Sequence, residues 1–319
     1  MWKNKYFKVF AAACILAAAL IIYLNIYRSL DYKEEGIRYI IGVSQPDLLS
    51  PWQLALNEEI KKEAEKYPDI KVIFSDAGSD EIKQKRDIEN MLEQKIDVLI
   101  VVPYNGKYLD GTISNINKDG IPVIVLEDSS EIEDYTVNIY CDNYKIGREA
   151  GKYICELLGE KGGTVLEILG DPDSPVSMKR RKGFSEAIKE NPAVNLEYVM
   201  LGYWSRDKTE ERVMEIYKKQ PAVDAVFAHN DDMAIGAWRI ATYEDINAIF
   251  IGVGGTDRKK TGLKAVENGI LNATFIYPTG GSEAIENAIK ILEGQHVPKI
   301  IELPAMRVTK DNIYSGNIY

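Results

Sequence analysis

From Gly36 onward the chain alternates short apolar runs with stretches of helical spacing. Ten runs stand out: RYIIGV, IKVIFS, DVLIVV, IPVIVL, TVNIYC, GTVLEIL, EYVML, AVDAVFA, INAIFIGV and LNATFIY. Most are nearly continuous in Val, Ile, Leu and Phe, the pattern of strands that a parallel sheet buries on both faces. Between them, Trp52, Ala55, Leu56, Ile60 and Ala64 keep helical spacing, as do Ile88, Met91 and Leu92. Strand and helix alternating throughout predict α/β units with right-handed crossovers. That many strands could close one barrel or form two open sheets. The break at Cys141-Asp142-Asn143, with comparable groups of units on either side, favours two sheets.

Residues 1–28 have a different pattern. Lys3, Lys5 and Lys8 precede an uncharged run from Val9 to Tyr27, and Arg28 comes directly after it. A run near 20 residues suits one membrane-crossing helix, and the lysines before it place the N-terminus in the cytoplasm. A cleaved signal peptide is the other reading, but LNIYRSLDYKEEG after the run offers no small-residue cleavage site. The expectation is a cytoplasmic tail at 1–8, a transmembrane anchor at 9–27 and a linker at 28–36.

Charge sets the body of the chain apart from this segment. The whole chain of 319 residues has 39 Lys plus Arg against 49 Asp plus Glu, a net −10. Without the first 28 residues the balance is 35 against 49, or −14, so the predicted extracytoplasmic body is strongly acidic and ill-suited to nucleic acid. Two histidines and three cysteines exclude a dense zinc site or a disulfide scaffold. Cys141 and Cys155 read as buried free thiols, with one bridge as the alternative.

In open α/β sheets ligands lie beyond the carboxyl ends of the strands. Those ends carry SQPDLLSPWQ, PYNGKY, EDSS, DPDSPVSMKRRKGF, GYWSRD, HNDD, GGTDRKK and YPTGG. Flat aromatic faces with Asn, Asp and Arg suit a neutral polyhydroxyl ligand: rings cover its C–H surface, and amides and charges bond its hydroxyls. GVGG at 252–255 lacks the full dinucleotide spacing, and GEKGGT at 159–164 is no P-loop. His229 has no matched nucleophile and reads as structural. No cofactor or metal is called for.

At these residues the sequence resembles a type I periplasmic binding protein of the ribose- and xylose-binding branch. IPVIVLED at 121–128, RRKGF at 180–184, AVFAHNDDMAIGA at 225–237 and ATFIYPTGG at 273–281 carry the likeness, which spans nearly all of 37–310. It is most similar to membrane-anchored xylose sensors that partner a two-component histidine kinase. The resemblance implies a two-lobed α/β fold of two open parallel sheets, each flanked by helices and joined by a three-strand hinge. Crossings would fall near Cys141/Asp142, Tyr277/Pro278 and Pro304. The N-terminal lobe is then 37–141 with 278–304, and the C-terminal lobe 142–277 with 305–319.

The resemblance also implies site roles. Trp52 and Trp204 match aromatics that stack on opposite sugar faces, and Arg180 an arginine that forks to sugar oxygens. Asn230 matches an amide that binds two hydroxyls. Glu127 and Asp128 occupy an acidic position, and Tyr277 a polar hinge position. Gly254 departs from the pattern, since many relatives have an aspartate there, and Asp257 is the expected substitute. Each has a plainer reading: Trp52 and Trp204 as packing, Arg180 as part of a solvated charge run, Asn230-Asp231-Asp232 as a helix cap, and Asp142-Asn143 as a hinge turn. The expected protein is a non-enzymatic, single-pass membrane protein with an extracellular or periplasmic domain. It binds a pentose, D-xylose before D-ribose, and signals closure to a membrane histidine kinase. A sugar receptor for an ATP-driven permease is the alternative partner reading, and a carbohydrate-active enzyme the third.

Overall fold

The computed structural model describes residues 36–127, 132–219, 223–255 and 262–315. The anchor expected at 9–27, Asp128 and Asp257 lie outside the described residues. Among the described residues no helix is long and apolar enough to cross a membrane.

The first half builds β1 (Tyr39–Gln45), α1 (Pro51–Ala64), β2 (Ile70–Asp76), α2 (Glu81–Glu93), β3 (Val98–Val101), α3 (Gly106–Lys118), β4 (Val123–Leu126) and β5 (Val137–Cys141). The second builds α4 (Asn143–Leu158), β6 (Gly163–Leu169), α5 (Pro175–Lys189), β7 (Val194–Leu201), α6 (Arg206–Lys219), β8 (Ala225–Ala228), α7 (Asp231–Tyr243), β9 (Ile249–Gly254), α8 (Gly262–Glu267) and β10 (Ala273–Ile276). The chain closes with α9 (Gly281–Leu292), β11 (Ile300–Leu303) and β12 (Met306–Val308).

The strands form two six-stranded sheets, ordered β11-β5-β4-β3-β1-β2 and β12-β10-β9-β8-β6-β7. The pairings are parallel except that of β10 with β12. The chain passes between the sheets three times: from β5 to β6, from β10 to β11, and from β11 to β12 through Pro304-Ala305. The protein is thus a two-lobed α/β molecule.

Burial explains the continuous apolar runs. In the first sheet, Ile41 and Val43 face Leu56 and Ile60 of α1 and Ile285 of α9, while Leu99 and Val101 face Ile88 of α2 and Ile113 of α3. In the second, Val165 and Phe227 face Ile154 of α4 and Phe184 of α5, while Leu166 and Val226 face Val213 of α6 and Met233 of α7. The first of these cores continues through Cys141 and Ile146 from one lobe into the other. Both Cys141 and Cys155 are free, but only Cys141 is buried. Cys155 is half-buried, which corrects the reading of two buried thiols.

The strands β11 and β12 escape the apolar pattern. They are short, and Ile300 and Met306 point outward. Their place is set by pairing with β5 and β10 rather than by their own hydrophobicity.

Candidate ligand site between the lobes

A helix that comes after a parallel strand starts at that strand's carboxyl end, so helix caps and strand ends collect on one side of each sheet. In the first lobe Ser50 caps α1, its hydroxyl accepting from the Gln53 N–H at 3.2 Å, and Pro51 opens the helix. Buried Gln45, at the end of β1, ties this turn down. Its Nε2 donates to the Gln53 carbonyl and Oε1, each at 3.0 Å, and its Oε1 accepts from Asn57 Nδ2 at 2.7 Å. Trp52 is thereby held with its ring centroid 5.8 Å from that of Tyr277, tilted by 40°. Its indole N–H is buried and meets no hydrogen-bond partner.

Glu127 comes directly after β4 with φ 71, a left-handed conformation that a non-glycine residue adopts only when its surroundings impose it. Here its N–H donates to the Ile139 carbonyl at 3.0 Å and its own carbonyl accepts from Asn138 Nδ2 at 2.9 Å. Its negative charge acts on both Arg180 and Tyr277.

At the hinge, Asp142-Asn143 is a helix start and not a turn: Asp142 accepts from the Lys145 N–H at 3.0 Å and caps α4. Asn143 is fully buried. Its Nδ2 donates to the Cys141 carbonyl and to the Tyr277 hydroxyl, each at 3.3 Å, and its Oδ1 accepts from Arg180 Nε at 2.8 Å. Burial above all, then the Glu127 charge, pushes the Tyr277 phenol well up, so it stays a neutral donor and acceptor.

Arg180, on α5, is only 3% exposed, so the plain reading of a solvated charge run fails for this member of the run. Its guanidinium lies 4.6 Å from the Tyr277 ring centroid and 5.9 Å from that of Trp204, and Nη1 donates to the His229 carbonyl. Burial lowers its pKa, while electrostatic interaction with Tyr277 and with the Glu127 carboxylate opposes that shift. The helix that carries it packs hard on α4: a Cβ at Gly147 would overlap the Arg180 carbonyl oxygen. Tyr203 and Trp204 both have positive φ, 51 and 59. The Trp204 indole lies over Gly170, where a Cβ would overlap the ring.

Asn230 makes two local hydrogen bonds. Its Oδ1 caps α7 by accepting from the Met233 N–H at 2.8 Å, and its Nδ2 donates to the Trp204 carbonyl at 3.1 Å. The half-buried amide therefore fixes the turn that presents Trp204. Asp231, beside it, does more than cap a helix. It is buried, with Oδ1 accepting from the Thr274 hydroxyl at 2.6 Å and Oδ2 from the Gly255 N–H at 2.7 Å. This explains the Gly254 departure: a Cβ at Gly254 or Gly262 would crowd into the Asp231 carboxylate. Burial pushes this carboxyl up to about 6.

Trp52, Glu127, Arg180, Trp204, Asn230 and Tyr277 thus gather at the facing ends of both sheets and the hinge. Asn143, Asp231 and His229 join them. In the sequence, the paired polar residues Asp142-Asn143 and the glycines around 252–255 are the signals for the first two.

Comparison with known proteins agrees with the two-lobed fold. Residues 41–296 match the family model described as periplasmic binding protein domain. The ribose import binding protein of Bacillus subtilis is 32% identical over 270 residues, covering 83% of this chain and 86% of that protein. The D-xylose-binding periplasmic protein of Haemophilus influenzae is 27% identical over 304 residues, 93% of this chain and 88% of that one. Among solved structures, the fructose-binding periplasmic domain of a hybrid two-component system superposes with a TM-score of 0.81 at 32% identity, covering 86% of this chain and 92% of that one.

Proposed function

Because the chain belongs to the periplasmic binding protein domain family, and its relatives bind sugars rather than transform them, we propose that it is a pentose receptor whose lobes close on the sugar. Such a domain works on the periplasmic or extracellular side of the membrane. The observation that carries the reading is Arg180, within 4.6 Å of the hinge ring of Tyr277 and 5.9 Å of the second-lobe ring of Trp204, with the ring of Trp52 of the first lobe 5.8 Å from that of Tyr277. An enclosed site must match nearly every hydroxyl, because each one buried unpaired costs ~1–3 kcal/mol. In this reading Trp52 and Trp204 cover the sugar faces, while Arg180, Glu127, Asp128 and Asp257 meet its hydroxyls.

Groups from both lobes act on one ligand, so the closed form gains contacts that the open form lacks. Shifting from about 1% to 99% closed takes ~5.5 kcal/mol, within the range of two stacked rings and several charge-assisted hydrogen bonds. D-xylose is the favoured ligand and D-ribose the second, in keeping with the names of the relatives. A single span at 9–27 would anchor the receptor beside a membrane histidine kinase that recognises the closed shape. The two-component origin of the fructose-binding neighbour supports that partner. The import role named for the Bacillus subtilis relative supports the alternative, delivery to an ATP-driven permease.

Calorimetric titration of the full chain with a panel of monosaccharides tests the reading. Saturable binding of a pentose with tightest affinity for D-xylose is expected, and no heat with any sugar would reject it. Recovery of a permease and no kinase with the chain purified from membranes would move the partner assignment to transport.

A further inference from the structure

Behind the second-lobe half of the site lies a polar group that sugar contact does not explain. Glu167 on β6, Ser177 on α5 and His229 after β8 are 0%, 1% and 0% exposed. Ser177 Oγ lies 3.1 Å from His229 Nδ1, and His229 Nε2 lies 3.2 Å from Glu167 Oε1. Glu167 Oε2 is buried with no partner. The order is Ser–His–acid, but no solvent reaches the serine, so this is a support and not a nucleophile.

His229 bears on both ligand-facing groups above it. Its carbonyl accepts from Arg180 Nη1, and its ring centroid is 6.4 Å from that of Trp204. Ser177 lies one helical turn before Arg180 on the same helix. We propose that Ser177, His229 and Glu167 form a proton-holding strut that positions Arg180 and Trp204, so that ionising Glu167 weakens sugar binding in alkaline medium. This rests on the sugar-binding reading above.

Burial pushes the Glu167 carboxyl up to about 8 and holds the His229 imidazole well below its usual range. At neutral pH Glu167 therefore keeps its proton and donates it to His229 Nε2, and Nδ1–H donates to Ser177 Oγ. The charged groups acting on the pair are Arg180 and Arg181 of α5. On the neighbouring strands Glu167 is in register with Val199 and Phe227, neither of which titrates. Loss of the proton reverses the hydrogen bonds: Nε2–H now donates to the carboxylate and Ser177 donates to Nδ1. It also leaves a charged Oε2 without a donor in a dry site, which α5 must shift to hydrate.

The test is sugar affinity of the full chain by calorimetry from about pH 6 to about pH 10, together with the ring-nitrogen NMR signals of His229. In the parent, D-xylose affinity should fall about tenfold across the alkaline range as the His229 proton moves from Nδ1 to Nε2. In E167Q, whose amide cannot ionise, the alkaline and neutral affinities should agree within about twofold and the tautomer should stay fixed. Ser177→Ala should lower affinity at every pH while keeping the alkaline fall. An E167Q chain that keeps the parent's alkaline loss, or a parent whose His229 tautomer does not change, overturns the strut. If no sugar binds at all, the functional reading fails, and the tautomer shift still decides the strut.

Discussion

The two lobes support their halves of the site by different chemistry. Behind Trp52 the first lobe places neutral amides, Gln45 with Gln53 and Asn57; on the other face of the sheet it places Gln84, whose Nε2 donates to the Val102 carbonyl at 2.8 Å and whose Oε1 accepts from the Tyr104 N–H at 2.8 Å. Behind Arg180 and Trp204 the second lobe places titratable groups, Glu167, His229 and Asp231, all buried. Amides hold a shape at any pH. Buried acids hold one only while their protons stay where the fold needs them. The first lobe is built as a constant platform, and the second as the face that responds to its medium.

The largest effect expected is on Arg180. Arg180→Ala should weaken sugar binding by between about ten- and a hundredfold, since hydrogen bonds to charged groups contribute about 1.5–3 kcal/mol. Arg180→Lys should not restore it, because an ammonium cannot reproduce the fork between Asn143 and the His229 carbonyl. Calorimetry on both variants decides this, and an Arg180→Ala chain with parental affinity would remove the second lobe's leading contact.

The second largest effect is on stability against pH. Glu167 keeps its proton in the folded chain up to about 8, whereas an unfolded carboxyl releases it near its ordinary value. Folded stability therefore falls as pH rises between those two values and is not regained above them. Glu167→Gln should raise the melting temperature at pH about 8–9 by several degrees and leave it unchanged near pH 4. Equal gains at both would show that the effect is not protonic. Asp231 has the same sign over a lower window, ending at about 6. Asp231→Asn keeps a single acceptor oxygen, so either the Gly255 N–H or the Thr274 hydroxyl proton loses its partner, and should cost about 1–3 kcal/mol, read by urea denaturation.

The smallest effect belongs to the amide platform. Gln45→Ala should lower affinity only severalfold, through a looser Trp52, and by the same factor at every pH. A pH-dependent loss would erase the distinction between the lobes.

The sequence shows these parts unequally. Most of the strands β1 to β10 are legible because burial on both faces writes itself as runs of Val, Ile and Leu; the edge strands β2 and β7 are only partly buried and carry polar residues within the run. The strands β11 and β12 are not, since their neighbours and not their own residues make them strands. Trp52, Arg180, Trp204 and Tyr277 are singled out by the family resemblance; residue pattern alone leaves the tryptophans open to plain packing and Arg180 one member of a charge run. Asn143 shows only as half of a polar pair at the hinge, and Glu167 and His229 give little sign. Their roles come from partners far along the chain, such as Tyr277 for Asn143 and Glu167 for His229, and one-dimensional spacing does not record such meetings.

Everything functional depends on the lobes closing around a sugar. Small-angle X-ray scattering of the full chain, with and without a saturating amount of the tightest-binding pentose, tests that most directly. A smaller radius of gyration and a shortened longest dimension in the loaded protein are expected. Superimposable curves at proven saturation would contradict the account, for then the bound sugar would leave no change of shape for a partner to recognise.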